Sequence, residues 1–376
     1  MIAPQLFVEE IRKRGTEFFT GVPDSLLKSF CAYITDSVDA EHHIIAVNEG
    51  NAVALGCGNY LATSRIPLVY MQNSGEGNAI NPLLSLADED VYQIPVLLVI
   101  GWRGEPGKVD EPQHKKQGKV TLSLLEAMGI PYQVLSEDKE EIRSQIATAY
   151  YCMEKNLSPY ALIVRKDLFA EYSLKDSKQP SGTMSREKAI DCIVSKASAS
   201  AIFVSTTGMA SRELYEIREE NGQSHERDFL TVGSMGHASQ IALGIALERK
   251  DCQVYCLDGD GATLMHLGGM AIIGSKKPQN YCHIILNNGA HDSVGGQRTV
   301  GRDIALVQVA LALGYDSAIQ VSTKKELEDV LEEKGRGLRC IEVLVKKGNR
   351  KDLGRPKSTP IENKHAFMRY IAEETK

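Results

Sequence analysis

The sequence predicts an α/β protein built from two duplicated, doubly wound parallel-sheet domains. Three observations carry this. Short β-branched runs alternate with longer helix-like stretches along the whole chain, a polar unpatterned segment divides it near its middle, and the two halves repeat each other's motifs in the same order. Strands are expected, in order, at HHIIAV (42–47), IPLVYM (66–71), PVLLVIG (95–101) and YALIVR (160–165), then at AIFVS (201–205), DFLTV (228–232), QVYCL (253–257), CHIILN (282–287) and CIEVLV (340–345). Near-continuous apolar strands separated by helical lengths read as a sheet buried on both faces, with crossover helices. The segment SLKDSKQPSGTMS (173–185) is polar, carries Pro180 and Gly182, and has no period. It places one domain at 1–175, a linker at 176–184 and a second domain at 185–376.

The duplication is legible in three paired segments. FFTGVPDSLLKSF pairs with VSTTGMASRELYEI, IIAVNEGNAVALGCGNYLA with LTVGSMGHASQIALGIALE, and IPLVYMQNSGEGNAINPLLSL with QVYCLDGDGATLMHLGGM. Gly50 corresponds to Gly236 at an offset of 186, and Gly75 and Gly77 to Gly259 and Gly261 at an offset of 184. Duplicated α/β domains commonly present the C-terminal edges of their sheets to a ligand, so a site between domains or between chains is expected.

Composition removes several function classes. The 376 residues are 43% hydrophobic and 24% charged with a net charge of −6, and no run of five or six basic residues occurs. That balance offers no footprint for a phosphate backbone or an anionic membrane, so nucleic acid and membrane partners are not expected. MIAPQLFVEEIRKRG carries charges within its first dozen residues and does not read as a secretory signal. The longest apolar run, 94–101, is too short to cross a bilayer. Eight cysteines (31, 57, 152, 192, 252, 256, 282 and 340) form no C-x-x-C pair and sit mostly in apolar segments, as free thiols in a reducing, cytoplasmic compartment do. Cys252 and Cys256 share one alternating strand pattern without a second ligand pair, which speaks against zinc.

The chemistry concentrates in one β-α-β unit. The strand at 253–257 runs into Asp258-Gly259-Asp260-Gly261, a helical stretch continues through Met270, and a strand at 283–286 ends in Asn287-Asn288. Strands joined by one right-handed crossover are usually neighbours, so Asp260 and Asn288 are expected side by side at the C-terminal sheet edge. A carboxylate, an amide oxygen and a backbone carbonyl such as that of Ala290 form a hard oxygen set suited to Mg2+. The glycines allow close backbone approach to a diphosphate at a helix N-terminus. Each motif alone is also ordinary turn chemistry; the 25 residues between Gly261 and Asn287 make the pair specific. A third glycine for the dinucleotide fingerprint is missing, because Leu264 stands there, and no Gly-Lys-Ser/Thr triplet occurs.

Gly259-Asp260-Gly261 followed at this spacing by Asn287-Asn288 resembles the signature of the thiamine-diphosphate-dependent enzymes. The resemblance covers nearly the whole chain. It implies the thiamine-diphosphate-binding fold, a pyrimidine-binding first domain and a diphosphate- and Mg-binding second domain. Glu49, in IIAVNEGNAVALG, matches the family's cofactor-activating glutamate; by itself it would as readily complement a helix N-terminus. Gly233 and Met235, in TVGSMGHA, match the carbonyl that accepts from the aminopyrimidine and the apolar residue that bends the cofactor. By the same resemblance Gly259, Asp260, Gly261 and Asn288 bind the cofactor, and Asp260, Asn288 and Ala290 hold Mg2+.

No central third domain is present, which sets the chain apart from the common three-domain decarboxylases. The segments GVPDSLLK, QNSGEGNAINPLLSL, GWRGEPGKVDEPQHKKQGK, STTGMASRELYE and NNGAHDSVGGQRTVG are similar to those of two-domain members that decarboxylate 3-phosphonopyruvate, with sulfopyruvate or another 2-oxo acid as the alternative substrate and a non-catalytic paralogue as the alternative class. The resemblance nominates Asp24, Ser25, His114, His291 and Asp292 for acid/base and orienting work, and implies at least a homodimer with sites between chains. A phosphonate needs cations. Arg103, Lys115, Lys116, Arg298, Arg350 and Arg355 are candidates that the sequence does not rank, and the basic stretch 346–357 also reads as a solvated charge run.

Overall fold

A computed structural model describes residues 1–175, 184–333 and 337–373. It divides into two compact units, one within Met1–Ser177 together with Ser293–Gln297, the other within Lys178–Asp292 and Arg298–Lys376. The expected linker at 176–184 lies outside the described residues except for Met184, which bridges in parallel to Val345. Ser293–Gln297 group with the first unit, whereas the sequence places them in the second half.

The first unit holds a six-stranded sheet of β1 (Phe19–Gly21), β2 (His43–Ile45), β3 (Leu68–Gln72), β4 (Leu97–Gly101), β5 (Tyr132–Val134) and β6 (Tyr160–Val164), in the order β2-β1-β3-β4-β6-β5. All of its pairings are parallel. The second holds β7 (Ile202–Ser205), β8 (Asp228–Leu230), β9 (Val254–Gly259), β10 (Tyr281–Asn287), β11 (Ser317–Val321) and β12 (Arg339–Leu344), in the order β11-β12-β10-β9-β7-β8, again all parallel. Adding six to each strand of the first sheet and reading from the opposite edge reproduces the second order, so the internal repeat is a repeat of topology.

Alternation along the strands builds two core layers in each unit, because successive side chains point to opposite faces. Leu68, Tyr70, Leu97, Val99, Leu162 and Val164 pack into one layer of the first unit, while Val69, Met71, Leu98, Ile100, Ala161 and Ile163 pack into the other. In the second unit Phe203, Leu257, Ile284 and Ile341 face one layer, and Val204, Cys256, Ile285 and Cys340 the other. Every cysteine is a free thiol, and all but the half-buried Cys152 are buried. Among the described residues no helix is long and apolar enough to cross a membrane.

All nine expected strands are present, and β1, β5 and β11 are added to them. β5 and β11 are edge strands, the first half-buried throughout and the second mostly exposed, and neither carries an apolar run. β1 has only three residues. The helix expected through Met270 is two pieces, Asp260–Met265 and Gly269–Lys276, separated where His266 leaves helical geometry at φ −133° and ψ 47°.

A buried ion pair anchors the β8 edge, from which the loop carrying Gly233 and Met235 departs. Arg218 forks onto Asp228, the first residue of β8, at 2.9 and 2.8 Å, and its guanidinium lies 5.0 Å over the Phe203 ring.

Candidate active site

In a parallel sheet all strands end on one edge. β1 and β3 are adjacent but lead to opposite sides of the order, which is where α/β sheets open a crevice. The loops after β2, β1, β3 and β4 carry the first unit's candidates.

After β2, Asn48 caps the helix Glu49–Thr63 by accepting from the Asn51 N–H at 2.9 Å, and the cap fixes Glu49 as the first helical residue. Glu49 is 5% exposed. Asn78 Nδ2 donates to its Oε2 at 2.7 Å, and Gly75 lies so close to the carboxylate that a side chain there would collide with it. After β1, Asp24 is fully buried against Gly101, accepts from the Leu26 N–H at 3.1 Å, and receives a long contact of 3.4 Å from Ser25 Oγ. Desolvation pushes its pKa up to about 6, opposed by the charge of Arg103.

After β4 the loop folds around Asp110. Arg103 donates from Nε to Asp110 Oδ2 at 2.8 Å and from Nη2 to Oδ1, while Nη1 donates to Ser25 Oγ at 2.7 Å. The Gly104 and Glu111 N–H groups also donate to Asp110, at 2.8 and 2.7 Å, and His114 Nδ1 lies 3.0 Å from Oδ1. Desolvation pushes the Asp110 carboxyl up, and the hydrogen bonds from Arg103, His114, Glu111 and Gly104 more than offset it, holding it below the usual carboxylate range. His114 is only 8% exposed, so it is an oriented ring rather than a solvated surface residue, and desolvation lowers its pKa. Asn73 ties these loops together. Its amide donates to the Arg103 carbonyl at 2.8 Å and accepts from the Arg103 N–H at 3.1 Å, two residues before the Gly75 that packs on Glu49.

Glu76 stands where the repeat places Asp260 in the second half. It is 3% exposed, its Oε1 has no partner among the described residues, and desolvation pushes its pKa up to about 8. A carboxyl raised by folding favours the native state while protonated. That contribution is complete below 4.5 and is lost as pH rises from there to about 8, at up to about 1.4 kcal/mol per pH unit. Glu76→Gln is therefore expected to show a flatter fall in stability than the wild type when urea unfolding is compared at about pH 5 and about pH 8; equal slopes refute it.

In the second unit β9 and β10 are neighbours in register, as expected, with Leu286 opposite Gly259. Asp260, 2% exposed, accepts from Thr299 Oγ1, and a side chain at Gly301 would come within 2.6 Å of its Oδ2. Desolvation pushes its pKa up to about 6. The two asparagines divide their work. Asn287 spends its amide on the Gly301 carbonyl at 2.7 Å and Glu342 at 2.6 Å, whereas Asn288 donates to Asp292 Oδ2 at 2.7 Å and accepts from the Ala290 N–H at 3.0 Å. Asp292 also accepts from the Gly348 N–H at 2.8 Å and faces Arg186 Nη1 at 3.7 Å. Its carboxylate is committed to holding Asn288 and the chain after β12.

The loop after β8 takes left-handed backbone at Ser234 (φ 52°) and Gly236 (φ 84°), where a side chain on Gly236 would meet His266 at 2.6 Å. Met235 and His291 converge on Gly261: a Cβ there would lie 3.6 Å from Met235 Cε and 3.3 Å from His291 Cε1. Desolvation pushes the half-buried His291 down to about 4, so the ring is neutral. Beneath this edge, Asp258 accepts from the Gly259 N–H at 3.0 Å and faces His283 Nε2 at 3.4 Å; His283 Nδ1 lies 3.2 Å from the Tyr315 hydroxyl. Cys256, Asp258 and His283 have their ligand atoms within 4.8 Å of one another, a grouping that does not involve Cys252.

Each unit therefore gathers its own nominated residues: Glu49, Asp24, Ser25 and His114 in the first, Gly233, Met235, Asp260, Gly261, Asn288, Ala290, His291 and Asp292 in the second. Sequence reasoning did not single out Asp110, Asn73, Asn78 or Thr299. Asp110, four residues before His114, was the one with a local signal.

Comparison with known proteins bears on both halves. The profile described as thiamine pyrophosphate enzyme, N-terminal TPP binding domain, matches residues 1–123, and the profile for the C-terminal TPP binding domain matches 205–343. The phosphonopyruvate decarboxylase of Streptomyces viridochromogenes is 30% identical over 99% of this chain and 95% of its own length, and that of Streptomyces hygroscopicus is 30% identical over 96% and 91%. The sulfopyruvate decarboxylase of Methanosarcina acetivorans is 29% identical over 93% of each chain.

Proposed function

Because the chain belongs to the thiamine pyrophosphate enzymes, as a 2-oxo acid decarboxylase and thus a carboxy-lyase, we propose that it converts 3-phosphonopyruvate to phosphonoacetaldehyde and CO2 with thiamine diphosphate and Mg2+. The observation that carries this substrate is the near full-length similarity to two phosphonopyruvate decarboxylases. Fusion of both halves in one chain does not separate the substrates, since the Methanosarcina sulfopyruvate decarboxylase matches 93% of the chain as well. Sulfopyruvate is therefore the second reading.

The residues fit the cofactors. Asp260, the Asn288 amide oxygen and the Ala290 carbonyl are hard oxygen donors, and the desolvated Asp260 carboxyl gains from a cation beside it. Gly259 and Gly261 would face the diphosphate, with Gly233 and Met235 beside the aminopyrimidine. Bound thiamine diphosphate supplies the electron sink for loss of CO2. Glu49 would exchange a proton with the aminopyrimidine, held for that by Asn78 and Gly75. Asp292 would act one step back, fixing which end of the Asn288 amide meets the metal. His114, with Nδ1 turned to Asp110, presents Nε2 for proton transfer; Asp24 and Ser25 orient substrate, and His291 is a neutral ring beside Gly261. The proposal extends to assembly as at least a homodimer.

The test is CO2 and aldehyde release from phosphonopyruvate, sulfopyruvate and pyruvate, with thiamine diphosphate and Mg2+ supplied or omitted. Phosphonopyruvate is expected to give the highest kcat/KM and to require both cofactors. A preference for sulfopyruvate overturns the substrate and keeps the chemistry.

A further inference from the structure

We propose that Arg103, clamped by Asp110 and Ser25, is the specificity-determining residue that receives the second anionic group of the substrate. This rests on the decarboxylase reading above and adds which cation reads the tail.

The structure separates the six cations the sequence left equal. Arg298 is 72% exposed and paired with Asp303. Arg350 is committed to Glu187 at 2.7 Å, to Glu216, and to Asp352 at 3.0 Å. Lys115 and Lys116 are exposed on the helix Pro112–Ala127. Arg355 has an interaction of its own. Arg103 lies at the C-terminal sheet edge, bonded through Ser25 to the β1 loop and through Asn73 to the β3 loop, and its side chain is 19% exposed.

Its hydrogen-bond inventory leaves two donors over. A guanidinium has five N–H donors. Nε and one Nη2 hydrogen go to Asp110, and one Nη1 hydrogen goes to Ser25. One hydrogen on Nη1 and one on Nη2 have no partner among the described residues, and such a pair matches two oxygens of a phosphonate or sulfonate. Asp110 holds the group still without saturating it, because its own charge is shared with the Gly104 and Glu111 amides and with His114. A rigid cation is useful only on the anion that survives the reaction. On the departing carboxylate it would stabilise the ground state and oppose loss of CO2.

The experiment uses holoenzyme loaded with thiamine diphosphate and Mg2+, in wild type, Arg103→Gln and Arg103→Lys. Calorimetry with 3-phosphonopropionate, which has the phosphonate tail but no oxo group, is combined with kcat and KM for phosphonopyruvate, sulfopyruvate and pyruvate. Arg103→Gln is expected to weaken 3-phosphonopropionate about 10- to 100-fold and to raise KM for both anionic oxo acids by a similar factor. Because Arg103 also holds Asp110 and Ser25, kcat is expected to fall by a common factor on all three oxo acids, and kcat/KM should fall about tenfold or more further on the two anionic oxo acids than on pyruvate. Arg103→Lys, which keeps the charge and loses the fork, should fall between. Equal losses on pyruvate and phosphonopyruvate, or unchanged binding of 3-phosphonopropionate, overturn the assignment. If the wild type turns over no oxo acid yet binds 3-phosphonopropionate in an Arg103-dependent way, the substrate reading fails, and with it the specificity role, while Arg103 is kept as the group that holds the anion.

Discussion

Glu49→Gln is expected to lower kcat for decarboxylation by about 10²- to 10⁴-fold, the range supplied by a positioned proton-transfer group. The substitution preserves volume in a site that is 5% exposed, and a glutamine oxygen still accepts from Asn78 Nδ2, so the fold has no reason to change. CO2 release measured beside thermal unfolding separates the two effects. A variant with wild-type turnover, equally folded, would remove Glu49 from the proton-transfer chemistry.

Asp260→Asn should produce opposite signs in two states of the protein. Without cofactors, the carboxyl is desolvated and pushed up to about 6, so near neutral pH its ionisation works against the native state, and the neutral amide is expected to leave Tm unchanged or raise it. With thiamine diphosphate and Mg2+ at about 100 times their Kd, the wild type should gain about 2.7 kcal/mol, and the variant should lose most of that gain because a charged ligand is gone. Thermal unfolding with and without the cofactors reads both. A full cofactor-induced shift in the variant would remove Asp260 from the metal site.

Much of this architecture was written locally, and the rest was written in tertiary contacts. The strands that sequence patterning finds are those with an apolar run, whether buried throughout as Leu97–Gly101 and Tyr281–Asn287 are or at a sheet edge as His43–Ile45 is. β5 and β11 lie at sheet edges and need no apolar run to belong there. β1 is too short for any period, yet the repeat contained it, because the segment FFTGVPDS aligns with the β7 region. Asp260, just after β9, and Asn288, just after β10, were legible because both motifs sit on glycine-marked strand ends at a characteristic spacing. Thr299, which bonds Asp260 from 39 residues away, and Asn78, which bonds Glu49 from 29 residues away, carry no local signature of those roles. His114 has exposed lysine neighbours, so its sequence surroundings do not reveal that it is buried; burial and Asp110 decide its orientation. Asp292 was nominated with His291 for acid/base and orienting work, and its carboxylate accepts from Asn288 and the Gly348 N–H and faces Arg186.

The closed pairing of each sheet bears on how the chain is made. Among the described residues no strand of one sheet pairs with the other, so every strand of the first sheet is at hand once Val164 has been synthesised. Chains grow at about 5–20 residues per second and domains generally fold as units, N-terminal first. The first sheet can thus zip up on the ribosome while the second is still untranslated. Ser293–Gln297 are the exception: they group with that first unit and emerge many seconds after its sheet.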